Sequence, residues 1–201
     1  MKVLGVSVLA GVVFTGAMLT AQTPQQPAPV SANPLSDQIK TYFTRVKGYL
    51  TKSIEMVPAD KWKWQPTPDV RTFARTFGHI SDDNNGACWQ LGGLTVAPAR
   101  LDTPDSMESK VHSMTREEVT KIYLDSFALC DKAFSALTDQ NASEMLSNGR
   151  GGQTARAVGL LGVIAHGNEM YGISTVYQRA QNIVPPSTAA RGRGRGARGG
   201  N

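Results

Sequence analysis

Four stretches of this chain repeat apolar residues at helical spacing, and none keeps up the strict alternation of a half-buried strand. In the first, Leu35, Ile39, Tyr42, Phe43, Val46, Leu50 and Ile54 form one stripe, and Pro58 ends the run. The second starts at Thr72, a suitable N-cap, and stops at Gly92-Gly93. Its apolar face runs from Phe73 through Phe77, Ile80 and Cys88 to Leu91. Asn84 falls on that face and must find a hydrogen-bond partner there. The third opens with Thr115-Arg-Glu-Glu118, a capping box, and its stripe runs from Val119 to Leu137. The fourth, about Thr154 to Ala180, is apolar on nearly every side, which reads as a centrally packed helix. The expectation is an all-α protein, a four-helix bundle over residues 35–188.

The two ends read differently. Residues 1–21 have a short basic start, an apolar run from Val3 to Leu19 and small residues before Gln22. This is the pattern of a signal peptide, so the mature chain is expected to be exported, periplasmic or extracellular. Residues 22–34, rich in Pro and Gln, read as a disordered linker. Residues 189–201 form an Arg/Gly-rich tail whose glycine density argues against helix or core. The net charge of +5 belongs to these ends. Setting aside Lys2 and the tail arginines Arg191, Arg193, Arg195 and Arg198 leaves 16 basic against 16 acidic residues. With a neutral folded part, no global basic field argues for a nucleic-acid-binding domain, and no specific nucleic acid is expected as a partner. The tail would touch anionic surfaces weakly.

Cys88 and Cys130 both fall on helical core faces. In an oxidising compartment they are expected to pair, tying the second helix to the third; buried thiols are the other reading. Trp62 and Trp64, in the connector Pro58 to Asp69, read as a plug at the end of the bundle or the mouth of a pocket.

A metal site in a bundle takes His and carboxylate ligands from facing helices. His79 and Asp83 are four residues apart and stack on one helical face. His166 and Met170 do the same, with Ile173 and Tyr177 continuing their line and Glu169 close by. His79 lies about 100° from the centre of its apolar stripe, at the rim of the core. Met170 is a poor ligand for hard or borderline divalent ions, because thioethers suit Cu(I). Two histidines on two helices also fit ordinary packed, hydrogen-bonded residues. His112 has no partner at ligand spacing and reads as a surface residue. No Ser-His-Asp arrangement, phosphate-binding glycine loop or zinc-finger spacing is present, so the catalytic residues are unknown.

Several segments in order carry a family resemblance. They are Met56-Val-Pro-Ala-Asp-Lys-Trp62, Pro66-Thr-Pro-Asp-Val-Arg-Thr-Phe73, Phe77-Gly-His79-Ile-Ser-Asp82, Phe127-Ala-Leu-Cys130-Asp131 and His166-Gly-Asn-Glu-Met-Tyr-Gly-Ile173. With Ile183-Val-Pro-Pro-Ser187 they cover most of the mature chain, which resembles a secreted branch of the DinB-like superfamily. The resemblance implies an up-down-down-up bundle, often a homodimer. It also implies a divalent metal, commonly zinc or nickel, held by three histidines. His79 matches the first ligand and His166 the second. Met170 stands where the family pattern has the third. Characterised relatives include thiol-dependent transferases and isomerases.

Three functions follow as expectations. One is a metal-dependent hydrolase or transferase using His79 and His166, with Asp83 or Glu169 as a further contact. The second is a non-catalytic binding or structural module of the cell envelope with a degraded site. The third makes the Arg/Gly tail an anchor to anionic surfaces.

Overall fold

Capping and burial turn the periodic stretches into helices. The structure, a computed structural model, describes residues 31–92, 107–148 and 151–196. Helix α1 spans Pro34–Met56. Pro34 stands in its first turn, where a missing N–H is no loss. The next donors are capped across the chain by the Asp139 carboxylate. It accepts from the Leu35 and Ser36 N–H groups at 3.2 and 2.8 Å and from the Ser36 hydroxyl at 2.6 Å. Those bonds, the Ser36 hydroxyl foremost, hold the Asp139 carboxyl below its usual range.

After a 3-10 turn at Ala59–Lys61, α2 spans Phe73–Leu91, with the Thr72 side chain accepting from the Arg75 N–H. The short α3, Met107–Ser113, carries the exposed His112. Helix α4, Arg116–Ser135, opens with the expected capping box on Thr115 and Glu118. A hairpin of β1, Met145–Ser147, and β2, Gln153–Ala155, pairs antiparallel with Leu146 opposite Thr154. Helix α5 spans Arg156–Ala180 and α6 spans Pro186–Gly196.

The long helices run up, down, down and up. Cys88 is bonded to Cys130, and Phe77 packs edge-on against Tyr123, so α2 and α4 are parallel. Tyr49 stacks on Tyr171, and Gly167 faces Val46, so α1 and α5 are parallel. The Tyr177 hydroxyl donates to the Arg71 carbonyl while Arg156 donates to the Leu91 carbonyl, so α5 runs antiparallel to α2. Between them lies a core of fully buried Leu50, Ile54, Phe77, Ile80, Tyr123, Leu137 and Leu160. Each apolar side chain there contributes about 1.5–3 kcal/mol by leaving water. Asn84 meets its polar need within that core by donating to the Ser126 hydroxyl at 3.3 Å. Trp62 is 3% exposed and stacks near Phe73 and Phe77, while Trp64 meets Tyr177 edge-on.

The structure departs from expectation in four places. The chain is not wholly strand-free, because three-residue strands flank the loop at 147–152. Strands that short are below the length at which a period of two can be read. Helix α5 is not covered all round: Val158, Leu161 and Val176 are 60%, 43% and 61% exposed. An apolar wheel shows that no face is charged, not that every face is covered. On α1, Leu35 and Tyr42, read as part of the apolar stripe, are 54% and 46% exposed. Finally, the first eight residues of the expected disordered tail, 189–196, belong to α6. Pro186 starts that helix, and the Ser187 N–H donates to the Tyr171 hydroxyl at 2.9 Å, which ties the helix to α5. This tether and the alanines at 189 and 190 outweigh the glycines that follow. The expected signal peptide, linker residues 22–30, most of the loop before α3 and tail residues 197–201 lie outside the described residues.

Candidate functional site

The expected histidines meet. Arg71, Arg75, His79 and Asp83 follow one another at intervals of four along the start and first turns of α2. Residues at that spacing share a face. His166, Met170, Ile173 and Tyr177 lie on the facing side of α5. Gly167 lets the neighbouring α1 come close: a Cβ at that position would stand 2.8 Å from Val46 Cγ1.

A chain of polar contacts crosses between the helices. His79 Nε2 is 3.2 Å from His166 Nε2. The far nitrogen of His166, Nδ1, is 3.1 Å from Asp83 Oδ2. The far nitrogen of His79, Nδ1, is 3.5 Å from an Arg71 Nη2. Arginine only donates, and an ionised carboxylate only accepts. With both rings neutral, one proton order satisfies these three contacts. Arg71 donates to His79 Nδ1, His79 Nε2–H donates to His166 Nε2, and His166 Nδ1–H donates to Asp83.

The electrostatics agree with a neutral His79. Burial, then the Arg71 guanidinium and His166, push its pKa from 6.5 down to about 4. Between those values the unfolded chain binds more protons than the folded one, so stability rises with pH there. The contribution of His79 is whole above about pH 6.5 and is lost as pH falls towards 4. Discounted for half-exposure, its size is about 1–2 kcal/mol. Urea unfolding of wild type and His79→Gln at pH 4.5 and 7 is expected to show the wild type losing more on acidification. Equal losses would remove His79 as the cause.

Whether these residues suit a divalent ion turns on donors, not distance. Two imidazole nitrogens on one tetrahedral zinc stand about 3.3 Å apart, given bonds of about 2.0–2.1 Å. The observed separation of 3.2 Å matches that. Asp83 on His166 Nδ1 is also the usual orienting carboxylate behind a ligating histidine. The His79 end is the obstacle. Ligation through Nε2 would move its proton to Nδ1, where it would face the donating Arg71 group. The third family position holds the Met170 thioether, only 4% exposed. Glu169 is exposed, and its charge acts on Arg71. Among the described residues, no group of three or more His, Cys, Asp and Glu side chains is placed to hold a metal ion. The donor set does not fit a tightly held zinc or nickel ion.

Each end of the chain of contacts reaches a cleft. Asp83 lines one of 450 Å³ with Asp82, Gln90 and Thr154. Arg71 lines another of 590 Å³ with Arg75, Met170 and Tyr177. Sequence reasoning did not single out Arg71 or Arg75. The signal was their interval of four with His79, obscured because Arg71 precedes the helix cap.

A long-helix bundle with a paired-histidine centre between its second and last long helices defines the class of protein. The DinB superfamily profile matches residues 42–170, and the chain belongs to that family. Among solved structures it is similar to a DinB-like protein from Bacillus cereus, at 18% identity and a TM-score of 0.58, covering 75% of this chain and 95% of that one. It is also similar to a conserved protein from Enterococcus faecalis, at 10% identity and a TM-score of 0.57, covering 72% and 95%. A third is a mycothiol-dependent maleylpyruvate isomerase, at 11% identity and a TM-score of 0.54, covering 68% of this chain and 59% of the isomerase. At these identities the likeness is one of fold. No curated protein matches the chain.

Proposed function

We propose that this chain is an exported DinB-like bundle whose divalent-metal site is degraded, and that it works as a non-catalytic binding module of the cell envelope. One observation carries the reading. His79 and His166 share a hydrogen bond between the two nitrogens that would otherwise hold an ion, and Arg71 favours the proton order that keeps them so. The signal-peptide pattern of residues 1–21 supports export. So does the Cys88–Cys130 bond, which belongs to an oxidising compartment. The thiol-dependent chemistry of the isomerase is not carried over, because its likeness is to the fold alone and the third histidine is absent.

The test is the metal content of the wild-type protein, purified without chelator from the periplasm or medium of an expressing cell. Less than stoichiometric zinc and nickel is expected, with an N-terminus at or near Gln22. One tightly held ion per chain would overturn the degraded-site reading. Retention of the intact N-terminal segment in the cytoplasm would overturn export.

A further inference from the structure

We propose that α6 and the face of α1 beside it form one basic surface that holds the domain against an anionic phospholipid bilayer. This names a partner for the envelope-module reading and rests on that reading's export. It does not depend on the metal question, because none of the residues involved belongs to the chain of contacts through His79 and His166.

The charge is one-sided. After Glu169 the chain has no acidic side chain, but it has five arginines, Arg179, Arg191, Arg193, Arg195 and Arg198. The charge of Glu169 itself acts on Arg71, ahead of α2. On α1, Tyr42, Arg45, Tyr49 and Lys52 recur at intervals of three or four and so share a face. That face lies beside α6. Tyr49 stacks on Tyr171 with ring centres 5.2 Å apart, and the Tyr171 hydroxyl accepts from the Ser187 N–H at 2.9 Å. Pro185 and Pro186 are buried at the start of α6, while Ala190 and Arg191 further along are exposed. The acids of α1, Asp37 and Glu55, stand near its two ends.

The partners that these cations have leave their charge in place. The Arg45 guanidinium lies 4.7 Å from the centre of the Tyr42 ring, and Arg179 donates to the Thr188 hydroxyl at 3.2 Å. Both partners are neutral. Arg45, Lys52, Arg179 and Arg191 are all exposed, and among the described residues none of them is in an ion pair. The helical rise puts Arg45 and Lys52 about 10 Å apart along α1, close to the screening length at moderate salt, so they repel each other little.

Two features select a bilayer. None of the four lines either cleft, so the charges make a surface and not a small-molecule pocket. Tyr42 and Val184, 46% and 55% exposed, stand among them, with Val184 just ahead of α6. A tyrosine ring and an apolar side chain gain from a membrane interface, where a soluble polyanion offers them nothing.

Flotation of the purified exported chain with vesicles of phosphatidylcholine, alone or mixed with phosphatidylglycerol, tests the proposal. Binding is expected to the mixed vesicles and not to the neutral ones, and should fall as salt is raised. Arg45→Gln combined with Lys52→Gln, checked for an unchanged melting temperature, should weaken it by about ten-fold or more. Arg191→Gln, Arg193→Gln, Arg195→Gln and Arg198→Gln together should weaken it further still. Equal binding to neutral vesicles, an unaffected Arg45→Gln/Lys52→Gln pair, or binding to soluble polyphosphate as tight as to the mixed vesicles would each overturn it. Metal content and the N-terminus, measured separately, report on the earlier reading, so the two can fail independently.

Discussion

Replacing both Cys88 and Cys130 by serine is expected to lower the unfolding free energy by about 3–4 kcal/mol. The bond joins residues separated by 42 positions, and the chain-entropy argument assigns a cross-link of that span about this much restriction of the unfolded chain. The loss should be large because the bridged helices, α2 and α4, are joined in sequence by a long connection rather than a tight turn. Both cysteines are 0% exposed, so serine also buries two hydroxyl groups in an apolar setting. Guanidinium unfolding of the oxidised wild type and the double variant measures the difference. A change below about 1 kcal/mol would mean that helix packing alone holds α2 to α4.

Met170→His is expected to give a protein that retains about one zinc or nickel ion per chain through dialysis, where the wild type does not. The new imidazole would stand one turn beyond His166 on the same face of α5, completing three nitrogen donors. Asp83 already orients His166 from behind. Arg71 would still oppose ligation by His79, because the proton displaced to Nδ1 faces a donor. Met170→His combined with Arg71→Gln should therefore bind more tightly than Met170→His alone. If neither variant binds an ion, the three-histidine family pattern does not extend to this chain.

The helices, their caps and the cysteine pair were legible because each rests on local rules. Thr72 and the Thr115–Glu118 pair cap where short-range hydrogen bonding places them. Cys88 and Cys130 lay on the core faces of their helices and meet. The juxtaposition of His79 and His166 was legible too, from helix face and family pattern together. What sequence could not show was the role of Arg71. Its guanidinium matters because the Tyr177 hydroxyl, 106 residues later, fixes its backbone beside the site. The same holds for α6, where tethering through Tyr171 outweighs a poor local propensity. Likewise the exposure of Val158, Leu161 and Val176 depends on which neighbours α5 has, and the wheel of one helix says nothing of them.

The central claim is that His79 and His166 are bonded to one another rather than poised for an ion. Nitrogen-15 NMR of the wild-type imidazoles, before and after one equivalent of zinc at pH 7, tests it most directly. His79 is expected to carry its proton on Nε2 and His166 on Nδ1, with zinc leaving both unchanged. Movement of both Nε2 signals into the metal-bound range with one equivalent of zinc would contradict it.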